Sequence, residues 1–182
     1  MRVLALAIQS GKKENETIMW GIDLQTKMLI KAHVLSKELC NYSVGDCLEL
    51  SISNNCRRQE IWVKRIEKIN TDQNVDVREC LELKAATPFS VYNPSYYGNV
   101  VKVERVIEVN KNRMVANLFG FPDENKYLEI NDYKWNLFME NDNEENEQIL
   151  KSLNSIKEKY MILDFPENSH QGYIQVAALV VI

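Results

Sequence analysis

Apolar positions along this chain recur mostly at a spacing of two, as a half-buried β-strand requires, and only once at the spacing of a helix. Arg2 to Ile8 is a continuous apolar run of strand length, which predicts a core strand. After the polar stretch Ser10–Glu16, Thr17–Leu24 and Met28–Val34 flank Gln25-Thr26-Lys27, the spacing of a hairpin with a short turn. Val44-Gly45-Asp46 is a turn signal, and behind it Leu48, Leu50 and Ile52 share one face while Glu49 and Ser51 take the other. Ile61–Ile69 is again rich in β-branched residues, between the polar stretches Ser53–Arg58 and Asn70–Asn74. Residues 75–87 are ambiguous between a short helix and a strand.

Pro88–Asn99 carries two prolines with Phe89, Tyr92, Tyr96 and Tyr97; the prolines disfavour regular structure, and the aromatics predict a packed junction. Val100–Val109 then places Val101, Val103, Ile107 and Val109 on one face, Asn110-Lys111-Asn112 predicts a hairpin turn, and Arg113–Phe119 returns. Tyr127–Ile130 reads as a short strand. Ile149, Leu153, Ile156 and Tyr160 fall at helical spacing and predict a helix over about 142–159. Asp142 and Glu145 have the spacing of a capping box at its start, and Lys151, Lys157 and Lys159 lie towards its end, the order that suits the helix dipole. Met161–Phe165 and Tyr173–Ile182 close the chain as strands, the last so apolar that it should be buried on both faces. The pattern predicts a mainly β protein of two small units, 1–87 and 100–182, packed through a junction at 88–99, with one helix in the second.

Composition narrows the function classes. An apolar fraction of 45%, with six glycines and four prolines, argues against disorder and against a flexible linker between the units. Residues 1–90 hold 13 Lys/Arg against 12 Asp/Glu, a net +1, and residues 91–182 hold 9 against 14, a net −5. Nucleic-acid binding rests on cations that displace counterions from phosphates, so the first unit is the expected place for it. Cys40, Cys47, Cys56 and Cys80 contain no CxxC pair and only His33 and His170 could assist them, so no metal site and no cofactor are expected. The N-terminal apolar run is too short for a signal core, and no stretch has the length of a membrane span; free thiols in a reducing cytoplasm are the expectation.

Several stretches resemble the family of dual OB domain proteins. In the first unit these are Leu4-Ala5-Leu6-Ala7-Ile8-Gln9-Ser10, Met19-Trp20-Gly21-Ile22-Asp23-Leu24, Met28-Leu29-Ile30-Lys31-Ala32, Val44-Gly45-Asp46 and Gln59-Glu60-Ile61-Trp62. In the second, Phe121 with Tyr127–Asp132, and Gly172-Tyr173 through Ala177-Ala178-Leu179-Val180, are similar to the family's later landmarks. The chain departs from the family where Lys31-Ala32 replaces an Arg-Pro pair, Met19-Trp20 replaces Val-Ala, and Asn131 replaces Thr. The resemblance implies two tandem OB-like β-barrels and no particular activity.

An OB barrel that binds single strands combines aromatic platforms with basic residues tracking the backbone. The candidate ligand-binding residues are Lys12, Lys13, Lys31, Arg57, Arg58, Trp62, Lys64, Tyr96 and Tyr97. Against that stands a structural reading in which Trp20 and Trp62 fill the two barrel cores and the tyrosines wedge the units together. No nucleophile motif, phosphate loop or dinucleotide fingerprint occurs, and a carboxylate mechanism would have to unite Asp23 with Asp132. The expectation is a non-catalytic module that recognises nucleic acid or a nucleotide-like ligand through its first unit, with single-stranded nucleic acid or a nucleotide as the partner. Its alternative is an interaction subunit that docks a protein partner in a larger complex. No membrane partner is expected.

Overall fold

The structure is a computed structural model that describes residues 1–10, 15–35, 42–53, 60–69, 75–85, 98–110, 112–119, 121–130, 135, 138–139, 146–165 and 175–182. Five strands, β1 (Arg2–Ser10), β2 (Thr17–Asp23), β3 (Leu29–Val34), β4 (Cys47–Ile52) and β5 (Glu60–Lys68), close a barrel in the order β1-β2-β3-β5-β4. Helix α1 (Val77–Ala85) follows. A second closed barrel comprises β6 (Gly98–Val109), β7 (Arg113–Leu118), β8 (Phe121–Ile130), β9 (Lys159–Asp164) and β10 (Gln175–Val181), with helix α2 (Asn146–Ser155) between β8 and β9. Third and fifth strands run parallel in both, β3 with β5 and β8 with β10, and all other pairs are antiparallel. These are tandem OB-like barrels, and the chain is mainly β.

The apolar side chains sort into three layers. Val3, Ala5, Ile8, Met19, Ile30, Ala32, Leu48, Leu50 and Ile61 fill the first barrel. Val101, Val103, Val106, Val109, Met114, Ala116, Leu118 and Leu128 fill the second, which α2 covers with Ile149 and Leu153. Between them lies a third layer, in which Leu4, Leu6, Ala7, Ile18, Trp20 and Ile22 meet Val100, Tyr160, Ile162, Ala177, Ala178 and Val180. This explains why β1 and β10 read as unbroken apolar runs: one face looks into a barrel and the other into the joint. A bulge sits in each, between Ala5 and Ala7 and between Val176 and Ala178. Each turns two consecutive side chains, Leu6-Ala7 and Ala177-Ala178, towards the opposite barrel.

Helix α1 resolves the ambiguity between helix and strand for Val77–Ala85. Asp76 caps it, its Oδ1 accepting from the N–H of Arg78 (2.8 Å) and Glu79 (3.3 Å). Leu81 and Ala85 then reach the joint, and Arg78 pairs with Glu158 (2.9 Å) beside β9.

Other expectations need correction. The helix in the second unit ends at Ser155, so Lys159 belongs to β9 instead of a helix terminus; its Nζ donates to the Ile156 carbonyl (2.5 Å). The proposed cap at Asp142 and Glu145 lies outside the described residues. Ile107 does not share the inner face of β6, because the bulges between Val103 and Arg105 and between Val106 and Glu108 reset the alternation and turn Val106 inward. Neither Trp20 nor Trp62 fills a barrel core: Trp20 is wholly buried between the barrels, and Trp62 stands on the outer surface of β5. The Gln25-Thr26-Lys27 turn is as expected, with Lys27 at φ 58°, and Asp23 anchors it by accepting from Gln25 N (3.1 Å) and Thr26 Oγ1 (2.5 Å). Among the described residues no helix is long and apolar enough to cross a membrane.

Candidate nucleic-acid interface

Strand β3 alternates strictly. Ile30, Ala32 and Val34 enter the first barrel, which leaves Lys31 and His33 on the outer surface. The parallel register with β5 sets Lys31 opposite Glu60 and His33 opposite Trp62. Two neighbouring polar rows result, with different roles.

The first row belongs to the joint. Lys31 is buried, its Nζ 2.8 and 3.0 Å from the carboxylate oxygens of Asp164 on β9 of the other barrel. The same ammonium stands 5.3 Å from the centre of the Trp20 ring, whose Nε1 donates to Gln9 Oε1 (2.8 Å). Gly98 makes room for that indole: a Cβ there would lie 2.5 Å from Trp20 and 2.4 Å from the Leu163 carbonyl. With Ile18, Trp20 and Ile22 buried, the β2 side of the first barrel's outer face is covered by the second barrel.

The second row is more open. His33 Nδ1 lies 3.0 Å from Glu16 Oε1 and its Nε2 lies 2.7 Å from Glu60 Oε1. A carboxylate can only accept, so the imidazole satisfies both partners when each ring nitrogen carries a proton. The ring stacks on Trp62 with centroids 4.6 Å apart and planes 23° from parallel. This clamp holds the half-buried indole in one orientation. Farther along β5 come exposed Lys64, at the bulge opposite Ser51 and Ile52, and exposed Arg65, paired with Glu67. Lys68 reaches Asp46 (2.8 Å).

Of the residues singled out by sequence, Trp62 and Lys64 come together on the outer face of β5, and Lys31 lies in the buried ion pair. Lys12, Lys13, Arg57, Arg58, Tyr96 and Tyr97 lie outside the described residues, as does Asp132. Sequence reasoning passed over His33, Glu16 and Glu60. The signal for His33 was there, since alternation from Leu29 to Val34 puts it on the face of Lys31; nothing local reveals that two distant carboxylates converge on it. Among the described residues no group of three or more His, Cys, Asp or Glu is arranged to hold a metal ion.

No family model and no curated protein sequence matches the chain. Among solved structures it is similar to the p204 HINb domain, with a TM-score of 0.42 and 12% identity over 100% of this chain and 96% of that one. It is also similar to a murine DNA-binding protein bound to double-stranded DNA, with a TM-score of 0.43 and 11% identity over 100% and 93% of the two chains. A third similar structure is the Ifi202 HINa domain in complex with 20-base-pair double-stranded DNA, with a TM-score of 0.42 and 12% identity over 100% and 94%. Superpositions this loose carry no functional argument.

Proposed function

We propose that this chain is a non-catalytic module that binds nucleic acid, and that the outer β3–β5 face of the first barrel engages it. The observation that carries this reading is the Trp62 indole, held against His33 on an outer surface and followed on the same strand by Lys64 and Arg65. An oriented aromatic plane beside cations suits a stacked base and its phosphate, and stacking contributes about 1–3 kcal/mol per base. Chain order adds support. Lys12 and Lys13 lie in sequence between β1 and β2, and Arg57 and Arg58 between β4 and β5. In OB barrels the connections at those two places in chain order take part in oligonucleotide binding.

Tryptophan emission tests the reading. Adding single-stranded DNA or RNA to the full chain should change the emission, and Trp62→Phe should abolish that change while the melting temperature stays close to the parent's. Emission that responds equally in Trp62→Phe would remove Trp62 from the interface. A chain that ignores nucleic acid and co-purifies with a fixed protein partner would favour the interaction-subunit reading.

A further inference from the structure

The first barrel has only part of its outer face free, because the second covers the β2 side. Among the described residues none covers the equivalent face of the second barrel, on β7 and β8, in this way. Tyr127 stands in the middle of it, opposite Val115, and is 70% exposed. Arg113 lies 5.8 Å from its ring centre. Phe119, just beyond the end of β7, is 52% exposed, and its N–H donates to the carbonyl of Lys102 (2.9 Å). Between the two aromatics the register sets Asn117 beside exposed Arg105. A closed barrel gains nothing in its core from an outward mid-strand tyrosine, and two exposed aromatics on one hairpin leave apolar surface in water. The distance along β7 from Val115 to Phe119 is roughly 13 Å at about 3.3 Å per residue, enough for separate bases.

We propose that this face of the second barrel is a further binding strip for single-stranded nucleic acid. In it Tyr127 and Phe119 stack bases, and Lys102 and Arg105 follow the backbone. The strip also holds Glu108, paired with Arg113 (2.8 Å), and Glu129, opposite Arg113 in the ladder. Phosphates therefore sit towards Lys102 and Arg105, and Arg113 serves mainly to orient the Tyr127 ring. The net −5 of the second half conceals this strip, since many of its carboxylates, such as those of Asp142, Glu144, Glu145 and Glu147, fall at the start of α2 or just before it in sequence. The occupant is a single strand because bases in a duplex are already stacked on their neighbours and offer no free face to the two aromatic rings.

The strip rests on, and extends, the nucleic-acid reading above. Its test is anisotropy titration of a fluorescent single-stranded oligonucleotide, and of its duplex, with the full chain and with surface variants. Tyr127→Ala should weaken single-strand binding about tenfold and the pair Lys102→Glu with Arg105→Glu by at least as much. Tyr127→Trp should keep the parent's affinity, and all should melt near the parent's temperature because the altered side chains lie at the surface. Binding that is weakened by Trp62→Ala but unchanged by Tyr127→Ala overturns the strip and leaves the first-barrel site standing. Duplex bound as tightly as single strand overturns the strip as well. Failure of the unaltered chain to bind any oligonucleotide overturns both.

Discussion

Tyr160 buries its whole ring at the joint between the barrels, while its hydroxyl meets no hydrogen-bonding partner among the described residues. A buried, unsatisfied hydroxyl costs about 1–3 kcal/mol. Tyr160→Phe should therefore stabilise the protein by about 1 kcal/mol, read as a higher urea midpoint at an unchanged slope. Burial, with the Glu82 and Glu158 carboxylates adding to it, raises the hydroxyl above its ordinary value of 10.0. The unfolded chain then ionises first, so the contribution is intact below pH 10.0 and is lost as pH climbs through the raised value. Burial pushes the neighbouring Lys159 ammonium down from 10.5, which acts with the opposite sign, stability growing as pH approaches that value. Both proteins carry Lys159, so in the comparison it cancels: the advantage of Tyr160→Phe should widen above pH 10.0 in urea titrations repeated along the pH scale. Lys31 shows what a single residue conceals. It reads as a stray cation in an apolar strand, because its partner Asp164 lies 133 positions away.

Strands were legible wherever a period of two ran undisturbed. Leu48 and Leu50 face inward and Glu49 and Ser51 outward, as the alternation requires, since each residue's face is set by its immediate neighbours. Ile107 misled the reading because a bulge depends on the partner strand and leaves no mark of its own in local composition. The end of α2 was equally obscure: Ile156 and Tyr160 extend the helical spacing, but β9 claims Tyr160 by pairing with Lys102 and Val180. Beside the apolar contacts of Ile149 and Leu153, Asn154 ties α2 to the barrel. Its Oδ1 accepts from Val106 N (3.0 Å) and its Nδ2 donates to Val106 O (2.7 Å), completing the backbone beside a β6 bulge. Asn154→Ala should cost about 1–3 kcal/mol, visible as a lower urea midpoint, because both backbone groups lose their partner. Conversely, Gly98→Ala would force a methyl against Trp20 and the Leu163 carbonyl, and should lower the melting temperature through overpacking worth about 1–3 kcal/mol.

For the molecule as a whole, the joint makes two small barrels into one structure. Its apolar layer is shared, and Lys31–Asp164 and Arg78–Glu158 bridge it. Removing one member of a buried ion pair leaves an uncompensated charge, at a cost of about 3–5 kcal/mol. Asp164→Asn should therefore destabilise the protein far more than Arg65→Ala, whose pair with Glu67 is exposed and worth about 1 kcal/mol or less. Calorimetry of the parent should show one transition, with both barrels melting together. The candidate interface was half legible at this scale. Trp62 and Lys64 announce it along one strand, whereas the His33 clamp needs the parallel pairing of β3 with β5.

Binding of nucleic acid is tested most directly by titrating a fluorescent single-stranded oligonucleotide with the full chain at a series of salt concentrations. Saturable binding is expected, weakening as salt rises with a logarithmic slope of about −2, as roughly three phosphate contacts would give. Absence of binding at low salt, or binding indifferent to salt, would contradict it.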